Sequence, residues 1–369
     1  FSMVETKPCA ELQRMLAQEF GLPTCVNAHS KLVGVGSTRG AVALLDPKVQ
    51  TATNPPLVLS SPSTEEGVAV TAVAFSPDGS SMLVGHKNGQ LVLWDLTTQK
   101  VASIVKDVHD CAVLSVAFCR PSWQYALSAD AGGNIFFLTF TSTFGRRDCT
   151  RQLLLEQSSN IGITLRILPL PRVANQSNHP ADVHCLVALC STNATVLLTL
   201  HPSAQMLQKI SYSIKDAGSV PDAAWLRLQT REWSDATRNV DPQLCIAFGH
   251  SLRIVRACFG ADTAKLKEEF KISLSHRFTW DSPISSIAAL NDSMLAIFDG
   301  AGKLSIVQLP SALGGPGPSG PDAQQQHLVP IHAEDVSDSS FVYHTHTSLE
   351  GSRDLRAFHG AFAVFGGRS

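Results

Sequence analysis

Charge is what this chain of 369 residues is short of. Asp, Glu, Lys and Arg make up 16% of it, against about 25% in an ordinary soluble domain. The two signs nearly cancel, 29 basic residues against 31 acidic, for a net charge of −2. A nucleic-acid binder driven by bulk positive charge is therefore excluded. Aromatic residues are 7% and do not interleave with basic ones, which removes the stacking platform a single strand would need. Long apolar runs are also missing. Ile161–Leu170 and His184–Leu200 are broken by polar residues, and neither approaches the roughly 18–20 residues that span a bilayer. Glu5, Lys7 and Glu11 at the start do not read as a signal peptide. The nine cysteines, from Cys9 to Cys258, include no CxxC pair. Cys25, Cys119, Cys185, Cys245 and Cys258 lie in apolar stretches, so they read as reduced core thiols of a cytosolic protein, with no zinc site.

What is present is apolar surface and repetition. Apolar residues are 44% of the chain, which rules out wholesale disorder. The length suits two or three ordinary domains or one large repeat architecture. The chain opens on Phe1 and stops at Arg368–Ser369 after an apolar stretch, and reads as a piece of a longer polypeptide.

The clearest repeat unit is Val70–Lys100. Val70–Phe75 alternates like a strand, and Ser76-Pro77-Asp78-Gly79 is a turn in which Pro fixes φ and Gly tolerates positive φ. Ser81–Gly85 is a second strand, Lys87-Asn88-Gly89 a hairpin turn, and Gln90–Asp95 a third strand ending in Trp94-Asp95. This order of strand, turn and Trp-Asp pair is that of a WD40 blade. Weaker copies follow the same plan at Leu22–Asp46, Val113–Phe140, His184–Leu200, Gln243–Phe259 and Ile284–Leu309. Unit starts fall near residues 21, 69, 111, 161, 220 and 283. Residues 21–369, shared among seven units, give about 50 each, slightly above the ~40–45 of a plain repeat.

The expected fold is all-β, a seven-bladed WD40-like β-propeller with degenerate repeats over 21–369. Phe341–Thr345 and Ala357–Phe365 supply an incomplete last blade. Residues 1–20 form an N-terminal segment, extended or helical over Glu5–Glu19, and long loops fall near 47–66, 169–182, 229–242 and 311–330. A regular blade carries a buried network of Trp, Ser or Thr, His and a turn Asp. Here Val84 and Asn88 stand at the Ser and Asp positions of one unit, and Gly132 and Leu138 at the Asp and Trp positions of the next, where Ser128 remains. A half-satisfied network is worse than an apolar core, so the expectation is a propeller held by packing and strand ladders.

The text of the repeats resembles a narrower family. Gly21-Leu22-Pro23-Thr24 with Val33–Asp46, Gly85-His86-Lys87-Asn88-Gly89 with Val92–Leu96, and His109 with Val113–Phe118, Gly132-Gly133 and Phe136–Phe140 are similar to the first blades of the vacuolar protein sorting-associated protein 8 family. Arg146–Cys149 and Leu153–Leu155 extend the likeness, and Asp241-Pro242 to Ile254 and His359-Gly360 to Phe365 fit more loosely. The resemblance implies a scaffold subunit of the CORVET complex, which tethers early endosomes before fusion. The implied partners are an early-endosomal Rab GTPase and the other class C vacuolar protein sorting subunits, with peripheral membrane association. The related late-endosomal HOPS tethering subunit shares the plan, and a generic WD40 adaptor that binds peptides at the channel mouth is the reading from another class. The family offers no catalytic residue to carry over.

The residues themselves offer little chemistry. The chain has no GxSxG element, and Gly34-Val35-Gly36 followed by Gly40 lies between strands, which is the wrong place for a phosphate cradle. His344-Thr345-His346 puts two imidazoles on one strand face, and His327 and His332 are near each other in sequence, but no further ligands follow at metal spacing. Catalytic, cofactor and metal residues are thus expected to be absent. Basic residues gather at Arg146, Arg147 and Arg151, and at Arg253 and Arg256. The first group is the candidate partner-binding patch, for an acidic GTPase surface or an acidic lipid.

Overall fold

A computed structural model describes residues 21–29, 32–45, 56–60, 67–119, 123–143, 146–156, 160–171, 180–212, 219–226, 241–260, 266–290, 294–309, 326–328, 330–335, 339–346 and 360–366. Apolar or alternating runs punctuated by Gly-containing turns give antiparallel sheets in sequence order. The first blade is β1 (Pro23–Ala28), β2 (Val33–Ser37), β3 (Ala41–Leu45) and β4 (Leu57–Ser60). The second is β5 (Val70–Phe75), β6 (Ser81–His86), β7 (Leu91–Asp95) and β8 (Lys100–Val105). The third is β9 (Val113–Cys119), β10 (Tyr125–Asp130), β11 (Ile135–Thr143) and β12 (Arg146–Leu155). The fourth is β13 (Thr164–Pro169), β14 (Leu186–Ser191), β15 (Ala194–Thr199) and β16 (Gln205–Ser211), with a one-turn helix α1 (Pro180–Val183) after β13.

The fifth blade is β17 (Asp222–Leu226), β18 (Gln243–Phe248), β19 (Ser251–Cys258) and β20 (Lys271–Thr279), with a second one-turn helix α2 (Leu266–Glu269). The sixth starts with β21 (Ile284–Ala289), β22 (Met294–Asp299) and β23 (Lys303–Gln308). Two later segments then return to finished sheets. The strand β24 (Gln326–His327) adds in parallel to the outer edge of β20, and β25 (Pro330–Asp335) becomes the fourth strand of the sixth blade. The inner strands β1, β5, β9, β13, β17 and β21 pack against one another in sequence around the axis.

The count of seven blades is corrected to six. After β25 the described chain supplies only β26 (Ser339–His346) and β27 (Gly360–Gly366), which form a two-stranded sheet. Both strands were foreseen near these positions, but two strands do not make a blade. The sheet lies beside β21 and β1, between the sixth and first blades. Dividing the length by seven failed for a physical reason. Insertions and returning strands lengthen some units without adding blades, and β24 and β25 were spent on sheets already counted. The helical reading of Glu5–Glu19 lies outside the described residues.

The core sits between the blades. One apolar cluster joins Cys25, Val42, Val70, Val73, Met82 and Trp94 of blades one and two, and another joins Leu83, Leu93, Val113, Leu138 and Phe140 of blades two and three. Three more repeat the arrangement across the next junctions, through Leu127, Leu189 and Val196, then Leu197, Trp225 and Val255, then Leu252, Phe278 and Ile297. Each blade is buried on two faces only because it has neighbours, as in other repeat architectures. Full burial of a side chain such as Leu83 or Leu127 contributes about 1.5–3 kcal/mol, and that contribution depends on the adjacent blade.

Close approach explains the glycine pattern in β2. A Cβ at Gly36 would lie 2.5 Å from Val70 Cγ1 and 2.6 Å from Cys25 Sγ. The Gly-Val-Gly run is an inter-blade contact, and no phosphate site is built there. At Gly89 the backbone has φ of 85°, and a Cβ would stand 2.1 Å from the carbonyl oxygen of His109. Only glycine fits this hairpin turn under the entry to the third blade.

Candidate functional site

The first polar constellation is buried in the third blade. His109, just ahead of β9, lies 2.8 Å through Nδ1 from Asp130 Oδ2 and 2.8 Å through Nε2 from Ser128 Oγ. Burial lowers the His109 pKa, against the opposing pull of Asp130. The ring is then neutral at pH 7. Its Nδ1–H donates to the carboxylate, and Nε2 accepts from the Ser128 hydroxyl. The N–H of Asn134 closes the carboxylate from the turn at 2.9 Å.

These are the residue types of a hydrolase triad, but Ser128 and Asp130 are completely buried, and no substrate carbonyl can approach the hydroxyl. The cluster also corrects the expectation that this blade had lost its network. The acid is present two residues before the turn position, at the end of β10, with Leu138 packed where Trp was expected. The sixth blade uses a similar device. Asp299 ends β22, its Oδ1 accepts from Lys303 N at 3.1 Å, and its Oδ2 accepts from Trp280 Nε1 at 3.1 Å.

The second constellation crosses blade junctions on the inner strands. Asp222, the first residue of β17, forms an ion pair with Arg166 of β13. Its other oxygen accepts from Ser286 Oγ at 2.9 Å and Ile287 N at 2.8 Å, both on β21. One carboxylate therefore joins blades four, five and six. Ser115 of β9 adds a fourth, accepting from Ile167 N at 3.0 Å. Sequence reading did not single out Asp222 or Arg166. The available signal was a lone carboxylate heading the wholly buried strand Asp222–Leu226, since a buried charge needs partners.

The third constellation is on the rim and contains the foreseen basic patch. Along β12, Arg147, Cys149, Arg151 and Leu153 alternate with the other face and pair with Ser142, Phe140, Leu138 and Phe136 of β11. Phe136, Leu138 and Phe140 belong to the core shared with blade two, so Arg147 and Arg151 are directed to that side. The Arg147 guanidinium sits 4.1 Å over the ring of Trp123. It donates to Ser81 Oγ at 3.1 Å and to Asp95 Oδ2 at 3.5 Å. The Asp95 carboxyl is held below its usual value, first by the Thr97 hydroxyl and also by backbone N–H groups and the charge of Arg147.

Arg147 thus ties the outer strand of blade three to blade two. Arg151 is exposed and has no hydrogen bond or ion pair among the described residues. The side chain of Arg146 lies outside the described residues. Arg253 and Arg256 are half-buried on β19, opposite Arg277 and Ser273 of β20.

The histidine pairs separate or give no contact. His327 is on β24 beside Thr279, whereas His332 is on β25 beside Ile306, in different blades. His344 and His346 are alternate residues of β26, paired with Phe362 and Gly360. Among the described residues no group of three or more His, Cys, Asp or Glu side chains could hold a metal ion. No helix among them is long and apolar enough to cross a membrane.

Six radial sheets with buried polar ties between them define a WD40-like β-propeller. A family model described as "Vps8 beta-propeller" matches residues 9–348. The chain belongs to that family.

Its similarity to "Vacuolar protein sorting-associated protein 8 homolog" is 28% identity for the mouse protein and 29% for the human protein. Each match runs over 296 residues, 78% of this chain. The chain spans about a fifth of the length of these relatives, 19% in each case. A solved structure with the same fold is the β-propeller domain of Cps50 (Swd1) from Myceliophteria thermophila. The TM-score is 0.55 at 13% identity, over 85% of this chain and 87% of that one.

Proposed function

We propose that this propeller is the non-enzymatic display domain of an endosomal tethering subunit of the CORVET type, acting in vesicle fusion at the early endosome. The family match over 9–348 is the observation that carries the reading. The polar clusters of the described residues fit structural ties within and between blades. The Ser128–His109–Asp130 cluster is sealed, and the Arg166–Asp222 pair with its Ser286 bond spans blades four, five and six. A rigid ring with an exposed edge suits presentation of surfaces to partners.

In this reading the partners are an early-endosomal Rab GTPase and the other class C vacuolar protein sorting subunits, and membrane association is peripheral. The rim of blade three, with Arg146, Arg147 and Arg151, meets the acidic face of the GTPase. Exposure of Arg151 supports its part in this contact, whereas Arg147 holds the strand in place. The test is capture of the purified chain by the GTPase loaded with GTP or GDP. Preferential capture by the GTP form is expected, and equal or absent capture in both states would remove the GTPase assignment.

A further inference from the structure

The two cysteines at the junction of blades three and four form a pair. Cys119 is the last residue of β9, and Cys185 immediately precedes β14. Both belong to the apolar cluster of that junction, Cys119 inside it and Cys185 packed against it. Although they lie in neighbouring sheets, Cys185 stands close enough to Cys119 to act on its ionisation. Cys119 has no exposed surface, while Cys185 is half-buried. The backbone of Cys185 has φ of 51°, in the left-handed region that a β-carbon disfavours.

We propose that Cys119 and Cys185 are an oxidisable dithiol which a peroxide converts into a disulfide between the third and fourth blades. Cys185, the thiol nearer to solvent, reacts first. Its thiolate attacks one peroxide oxygen, giving a sulfenic acid and releasing the other oxygen as hydroxide. The Cys119 sulfur then attacks the Cys185 sulfur. The S–O bond breaks, the S–S bond forms, the Cys119 proton leaves with the departing oxygen as water, and the peroxide has taken up the two electrons. Burial, followed by the neighbouring Cys185, pushes the Cys119 pKa well up. Cys119 is therefore the resolving partner and does not meet the oxidant itself. The bond would fasten two blades that are otherwise joined by apolar packing and by the hydrogen bond between Ile167 N and Ser115 Oγ.

The experiment treats the reduced chain with hydrogen peroxide, blocks remaining thiols, and maps the products by fragment mass spectrometry. The expected result is loss of two hydrogens and a Cys119–Cys185 crosslink. The crosslink should be reversed by dithiothreitol, absent from Cys185→Ser, and retained in Cys190→Ser. The oxidised chain should also melt several degrees higher than the reduced one, because a bond closing a long loop restricts the unfolded state. Three results would each overturn the proposal: Cys119 recovered as a free thiol while Cys185 reaches the sulfinic acid, a crosslink from Cys185 to another cysteine, or no oxidation at either. The mapping on the unsubstituted chain decides the matter even if a variant fails to fold.

Discussion

Asp222 and Arg166 form an ion pair across a blade junction, and the same carboxylate takes two further hydrogen bonds from the blade beyond. Asp222→Ala would leave Arg166, the Ser286 hydroxyl and the Ile287 N–H short of a shared acceptor. A loss of about 3 kcal/mol is expected, the scale for breaking a buried pair, because Asp222 is almost fully enclosed. Arg166→Ala should cost nearly as much by stranding the charge. Denaturant unfolding of the two single variants and the double variant measures this. Additive losses would show that the pair is not coupled.

The buried Ser128–His109–Asp130 cluster makes the opposite prediction for chemistry. Ser128→Ala should lower stability by about 1–2 kcal/mol, through the bond lost from His109 Nε2. The chain should not react with a fluorophosphonate probe either with or without Ser128. Labelling at Ser128 would show that the seal opens.

The inner strands were legible because the repeat announces them. Unit starts read near 21, 69, 111, 161, 220 and 283 precede β1, β5, β9, β13, β17 and β21 by no more than a few residues. Val70–Phe75 is matched end to end by β5, in which every residue but Thr71 is apolar and buried, as packing on both faces requires. Outer strands were harder to read. The burial of β20 changes irregularly along its length, and its partner β24 comes from a segment about fifty residues later in the chain. The blade count failed on such returning segments.

The ties around His109 were missed because Asp130 performs from the strand end a role sought in the turn. Spacing alone cannot show that a side chain reaches back two residues. Arg147 and Arg151 look alike in sequence, and only the aromatic ring of Trp123, with Ser81 and Asp95, separates them.

Stability should fall as the solution is acidified below neutrality. Burial lowers the pKa of His86, His109 and His276 from the ordinary value near 6.5. A histidine depressed in the folded state contributes its full stabilisation above the unfolded value. As pH drops below about 6.5 the unfolded chain takes up a proton that the folded chain refuses, and the contribution is lost down to the folded value. Thermal melts at pH 7.5 and 5.5 should show a lower midpoint at 5.5. His109→Gln, which keeps a donor and an acceptor, should reduce the difference. A midpoint that rises on acidification would reverse the sign argued here.

Gly36→Ala tests the packing between blades one and two. The added methyl would stand within 2.6 Å of Val70 Cγ1 and Cys25 Sγ, both in a filled core, so the inner strands must part. Overpacking of this kind costs about 1–3 kcal/mol. Val70→Ala in the same chain should recover part of that cost by opening the space. Urea unfolding of the single and double variants measures the recovery, and no coupling between the two sites would contradict the contact.

The rim arginines separate stability from recognition. Arg147 stacks on Trp123 and bonds Ser81 and Asp95, so Arg147→Ala should cost up to about 1 kcal/mol of stability, the scale of a cation–π contact and a loose ion pair near the surface. Arg151 is exposed, and Arg151→Glu should leave the melting midpoint unchanged. If the rim of blade three meets an acidic partner, the same reversal should weaken capture by the GTP-loaded GTPase about tenfold. It should also flatten the dependence of capture on salt, because a charge opposed to the partner slows encounter and is screened at high ionic strength. Arg151→Gln should fall between the two. Capture by Arg151→Glu equal to that of the unsubstituted chain across the salt series would move the docking surface away from β12.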